Sequence, residues 1–130
     1  MGSSTPSNPS PIITVIVQRA ESDCGVAALA MILGKTYEEV LVACGHDHPR
    51  VLTKGLWATG MSRVAASLGV TLTRKRTFDV ETAFGLLCLS DHVVVLKNGL
   101  IIDPGDGSVW DADVYLATKD ERATLLLVPP

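Results

Sequence analysis

His92-Val93-Val94-Val95-Leu96-Lys97-Asn98-Gly99-Leu100-Ile101-Ile102-Asp103 is the stretch that says most about this chain. Two apolar runs flank Asn-Gly, the pair favoured by a two-residue type I′ hairpin turn, in which both turn residues take positive φ. With Asn98-Gly99 as the turn, Lys97 pairs with Leu100, and Val94 pairs with Asp103. Side chains alternate faces along a strand, so His92, Val94 and Leu96 share a face with Ile101, Asp103 and Gly105. His92 and Asp103 become diagonal cross-strand neighbours, roughly 7–8 Å apart at the backbone and within reach of a side-chain hydrogen bond. A carboxylate on one imidazole nitrogen fixes the tautomer and leaves the other nitrogen free as a base. The pairing alone describes a structural His–Asp pair at a sheet edge equally well.

Downstream, Pro104-Gly105-Asp106-Gly107 makes the next turn, Val109–Asp111 a short strand and Thr124–Val128 a last one. Upstream the signals are helical. Residues 24–33 are Ala/Leu/Met-rich, with Asp23 where an N-cap belongs and Gly34 as a left-handed stop. Thr36-Tyr37-Glu38-Glu39 is a capping box that opens a helix to Cys44. Residues 46–54 read as a polar loop. Trp57, Met61, Val64, Ala65 and Leu68 fall on one stripe of a helix closed by Gly69. Val70–Arg74 alternates as a strand, and Asp79 caps an expected helix through about Leu89. Ile12–Val17 is apolar and β-branched, hence extended. Cys88, Trp57 and Trp110 are expected in the core, although Trp110 could instead rim a cleft. Helices first and strands later predict an α+β fold with an antiparallel sheet.

The whole chain is 130 residues, enough for one domain, expected over residues 12–130 behind a disordered Ser/Pro/Asn-rich tail at 1–11. Apolar residues make up 47% and charged ones 19%, which excludes disorder for the bulk. Mean hydropathy is high at +0.31, yet no apolar run approaches the ~18–20 residues of a membrane span, so no membrane insertion is expected. A net charge of −3 argues against a nucleic-acid partner. The cluster Arg74-Lys75-Arg76 reads as a solvated loop or edge. Three cysteines cannot all pair and none forms a C-x-x-C, which fits a reducing compartment or one reactive thiol among inert ones, and a cytoplasmic location is expected. No signal peptide is apparent. Cys44-Gly45-His46-Asp47-His48 lacks the second ligand pair of a zinc site, and Asp103–Gly107 lacks the twelve-position calcium pattern. No metal or cofactor is therefore expected.

Cys24 opens the first helix. Free amides and the macrodipole at a helix N-terminus favour a thiolate, which is a nucleophile. Position alone leaves the alternative of a small buried residue in an apolar helix. Gln18 ends the first apolar run, six residues before Cys24. Its side-chain amide, with an amide at the helix start, would supply two donors for the oxyanion of an acyl transfer.

Gln18, Asp23-Cys24-Gly25-Val26-Ala27-Ala28-Leu29, His92-Val93-Val94-Val95 and Asp103-Pro104 together resemble the bacteriocin-processing (double-glycine leader) cysteine peptidases, which are papain-like domains. The order Gln, Cys, His, Asp and the Gln-to-Cys spacing match that family, and the resemblance spans about residues 12–111. It implies a papain-like fold with N-terminal helices packed on a C-terminal antiparallel sheet. It also implies four roles: Cys24 as nucleophile, His92 as general base and then acid, Asp103 as its orienting carboxylate, and Gln18 as oxyanion donor. The expected function is a free-standing thiol hydrolase of a peptide or isopeptide amide, with a peptide or protein as substrate. A deamidase or transamidase on the same residues, and a non-catalytic peptide-binding module, are the alternatives.

Overall fold

Residues 13–45 and 48–130 are described by the computed structural model. The Ala-rich stretch forms helix α1 (Cys24–Leu33), and its residues from Cys24 to Met31 are all buried. A helix that is apolar all round belongs in the middle of a core. Gly34 ends it at φ +65°, and the Lys35 N–H reaches back to the Ala30 carbonyl, a Schellman-type closure. Helix α2 (Tyr37–Ala43) starts with the expected capping box: Glu39 N–H donates to Thr36 Oγ1 and Thr36 N–H donates to Glu39 Oε1.

Helix α3 (His48–Lys54) occupies most of the segment expected to be a polar loop. Burial of Val51, 3% exposed, gives that turn of chain a reason to fold onto the core. In helix α4 (Ala58–Ser67), Met61, Val64 and Ala65 are buried as the stripe requires. Trp57 is not core: it precedes the helix, is 42% exposed, and donates its indole N–H to the Lys54 carbonyl.

The strands are β1 (Thr73–Lys75), β2 (Phe84–Cys88), β3 (Val93–Lys97), β4 (Leu100–Ile102), β5 (Val109–Asp111) and β6 (Leu125–Val128), with helix α5 (Ala112–Lys119) between the last two. They form one six-stranded sheet in the order β1-β6-β2-β3-β4-β5, antiparallel throughout. The 92–103 hairpin forms in the expected register, Lys97 opposite Leu100, with Asn98 at φ +47° and Gly99 at φ +84°. The helix expected from Asp79 to Leu89 is instead a turn followed by β2. Asp79 does cap, accepting from the Glu81 N–H through Oδ1, but only a turn follows. Beyond it, Phe84–Cys88 pairs with β3 on one side and β6 on the other. A central strand covered on both faces is apolar at every position, so periodicity cannot separate it from a buried helix. Residues 13–17, expected to be extended, form neither helix nor sheet strand.

Both sheet faces are covered. Val93, Val95, Leu86, Cys88 and Leu127 join α1, α2 and α4 in the larger core. Leu87, Val94, Leu96, Ile101 and Leu126 pack with Ala112 and Tyr115 of α5, a helix the sequence reading did not anticipate. Among the described residues no helix is long and apolar enough to cross a membrane.

Candidate active site

Asp23 places Cys24. It is fully buried, but its carboxylate does not cap α1 as expected. It turns back to accept from the N–H groups of Arg19 (2.8 Å) and Ala20 (2.9 Å) and from the Tyr37 hydroxyl. The helix is held instead by the Asp23 carbonyl, which accepts from Val26 and Ala27 N–H. The bend at 18–23 is thereby pinned to α2, and Cys24 follows as the first residue of α1, 4% exposed. Gly25 is required at the next position because an added Cβ would overlap the Leu56 carbonyl.

The hairpin presents the other two side chains. His92 immediately precedes β3, where its carbonyl accepts from Leu89 N–H. Asp103 immediately follows β4. His92 Nε2 and Asp103 Oδ1 are 2.7 Å apart. That leaves Nδ1 unengaged by Asp103, and Cys24 is near enough to act on the His92 ring. The start of α1, at Cys24, and the open end of the β3–β4 hairpin, at His92 and Asp103, come together here.

The electrostatics follow from the geometry. Burial opposes a charge on His92, but hydrogen bonds to Asp103 and Cys24, with the charges on both, outweigh it and push the imidazole up to about 10. Burial likewise opposes ionisation of Asp103. Donors from His92, Gly105 N–H and Tyr115 win, holding its carboxyl down at about 2. An imidazolium between a carboxylate and a sulfur is the charge state this arrangement favours.

Gln18 is tied into the same corner, its N–H donating to the Pro104 carbonyl at 2.8 Å. Its side-chain Nε2 donates to the carbonyls of Ala20 (2.8 Å) and Glu21 (3.3 Å), within its own loop. Its Oε1 is buried without a hydrogen-bond partner. Service to an oxyanion requires the longer of those two bonds to be exchanged for substrate.

The remaining thiols lie apart from this hydrogen-bonded set. Cys88 is buried in β2, where desolvation pushes its thiol up to about 11. Cys44 is partly exposed and donates to the Val40 carbonyl. His46 and Asp47 of the set-aside metal cluster lie outside the described residues. Sequence reasoning missed Tyr115, whose hydroxyl donates to Asp103 Oδ2 at 2.9 Å. The signal that could have found it is Asp111 at an N-cap position ahead of eight residues free of Gly and Pro, ending in Lys119.

The model of the Peptidase C39 family matches residues 13–84, which include Gln18 and Cys24 and end before His92 and Asp103. A solved structure described as a double glycine motif protease from an AMS/PCAT transporter in complex with the leader peptide shares the fold. It is 22% identical, with a TM-score of 0.71, over 95% of this chain and 96% of that one. No curated protein sequence matches the chain significantly. With more than half of its length on the family's model, and the family's fold from α1 to β6, the chain belongs to the Peptidase C39 family and is a cysteine peptidase-like hydrolase.

Proposed function

We propose that this chain cleaves a peptide amide through a thioester on Cys24. The observation that carries the reading is His92, held between Cys24 and Asp103 with its pKa pushed up to about 10. The Cys24 sulfur attacks the carbonyl carbon, and the carbonyl π pair moves onto oxygen. A backbone amide at the start of α1 and the Gln18 side-chain amide, once released from its loop carbonyl, would donate to that oxyanion. As the oxygen pair returns, the C–N bond breaks and His92 gives its proton to the leaving nitrogen. Water then attacks the thioester and His92 takes the water's proton. The C–S bond breaks, restoring Cys24 and releasing a carboxylic acid, which gives its proton to solvent and becomes a carboxylate. Asp103 keeps the ring oriented and offsets its positive charge throughout.

A peptide with two glycines before the scissile bond is the substrate class to test first, because the structural neighbour is a double glycine motif protease bound to a leader peptide. Glycines suit a cysteine that is only 4% exposed, since they offer no side chain to obstruct the approach. The test is release of a fluorescent amine from peptides ending in Gly-Gly. Cys24→Ala should lower the rate by about a thousandfold or more, and mass spectrometry should show a cut chain rather than a deamidated one. Undiminished hydrolysis by Cys24→Ala would rule the mechanism out.

A further inference from the structure

Both tyrosines of the chain donate to a buried carboxylate. Tyr37 holds Asp23, the residue before Cys24. Tyr115 holds Asp103, the partner of His92, and it does so from the far layer of the sheet.

The backbone of Asp103 is already fixed. Its N–H donates to the Ser108 carbonyl (2.9 Å), and its carbonyl accepts from Gly107 N–H (2.7 Å). What remains free is rotation of the carboxylate. Oδ1 is the shared acceptor of His92 Nε2 (2.7 Å) and Gly105 N–H (2.8 Å). Two donors on one oxygen leave the group able to swing about that oxygen. The Tyr115 hydroxyl, 2.9 Å from Oδ2, removes this freedom.

Tyr115 is itself held. It is 2% exposed, with its ring edge-on to Trp110 at 5.6 Å and 83°. Trp110 is anchored through its indole N–H to Ser108 Oγ (2.8 Å), and Ser108 Oγ bonds Asp106 Oδ1 (2.6 Å). Burial and the neighbouring Asp103 charge raise the phenol's pKa, so it remains a donor wherever the site works.

We propose that Tyr115 is a positioning residue of the peptidase site: its hydroxyl locks Asp103 Oδ2 so that Oδ1 stays aimed at His92 Nε2 and the ring's Nδ1 at Cys24. The proposal rests on the roles assigned above to Cys24, His92 and Asp103. Packing against Trp110 would be served equally by phenylalanine. The hydroxyl is what the carboxylate uses, because a buried acceptor left without a donor is costly.

Tyr115→Phe keeps the ring and removes the donor. The readout is the rate of Cys24 alkylation by iodoacetamide at neutral pH, followed by mass spectrometry, which needs no known substrate. The rate should fall by about tenfold in Tyr115→Phe. It should fall no further when that change is added to Asp103→Ala, because the tyrosine acts through the carboxylate. A purely structural tyrosine would instead lower the unfolding midpoint and leave alkylation of the folded protein unchanged. Wild-type alkylation in Tyr115→Phe, or a full further loss on top of Asp103→Ala, overturns the proposal while leaving the parent roles standing. Wild-type alkylation in both His92→Ala and Asp103→Ala sinks the parent roles and this one with them. Should the Tyr115→Phe variant not fold, 3-fluorotyrosine in place of Tyr115 retains the phenol and strengthens its donation. The His92 Nε2 proton resonance must then shift, and an unmoved resonance overturns the proposal.

Discussion

Two carboxylates are buried among the described residues, Asp23 and Asp103, and each accepts from its own loop's backbone (two amides for Asp23, one for Asp103) and from a tyrosine hydroxyl of another element. Asp103 also takes His92, and that pair has a pH signature. His92 is raised from 6.5 to about 10, so its contribution to stability is fully present below 6.5 and is lost as pH rises through about 10. Asp103 is lowered from 3.8 to about 2, so its contribution is present above 3.8 and is lost as pH falls through about 2. Urea unfolding of wild type and His92→Ala across pH should therefore show a gap that is widest below 6.5 and shrinks toward about 10. A gap independent of pH over that window would contradict the pairing. At this scale the hairpin register that brings His92 beside Asp103 was legible, because turn signals are local. The Gln18 geometry was not, because its amide answers to carbonyls that only the folded bend brings near.

Elements were legible where end signals and periodicity agreed. The Thr36 capping box, the Gly34 stop and the Asn98-Gly99 turn each appear as read. They failed at β2, where an N-cap signal at Asp79 and an all-apolar run mimic a helix, and at α5, where no apolar stripe stands out. Close approach between elements sharpens one prediction. At Gly25 the Leu56 backbone crosses so near α1 that a methyl group would displace it. Gly25→Ala should cost about 1–3 kcal/mol by overpacking, read as a lowered urea midpoint, and should slow Cys24 alkylation by shifting the helix start. An unchanged midpoint would show that the 54–57 segment yields without cost.

Across the whole molecule the sheet is the rigid body, and stability is graded outward from it. β2 and β3 lie in its interior and are buried on both faces, whereas β1 is an edge strand with every residue exposed. Hydrogen exchange should find the amides of Leu87, Val94 and Val95 slowest and those of Thr73–Lys75 fastest among the strands. Comparable protection in β1 would mean that its edge is covered. The site straddles this rigid body. Cys24 comes from the helical layer on one face, His92 and Asp103 from the open end of the β3–β4 hairpin, and Tyr115 from α5 on the other face. By itself the sequence determined the hairpin, the helix that Cys24 opens and the α+β class, because turn chemistry, helix stops and face alternation act over a few residues. Only the tertiary structure decided that Phe84–Cys88 is a strand, that Asp23 turns away from its helix, and that Tyr115 reaches Asp103. Each of those depends on backbone or donor groups supplied from distant parts of the chain, which no local pattern records.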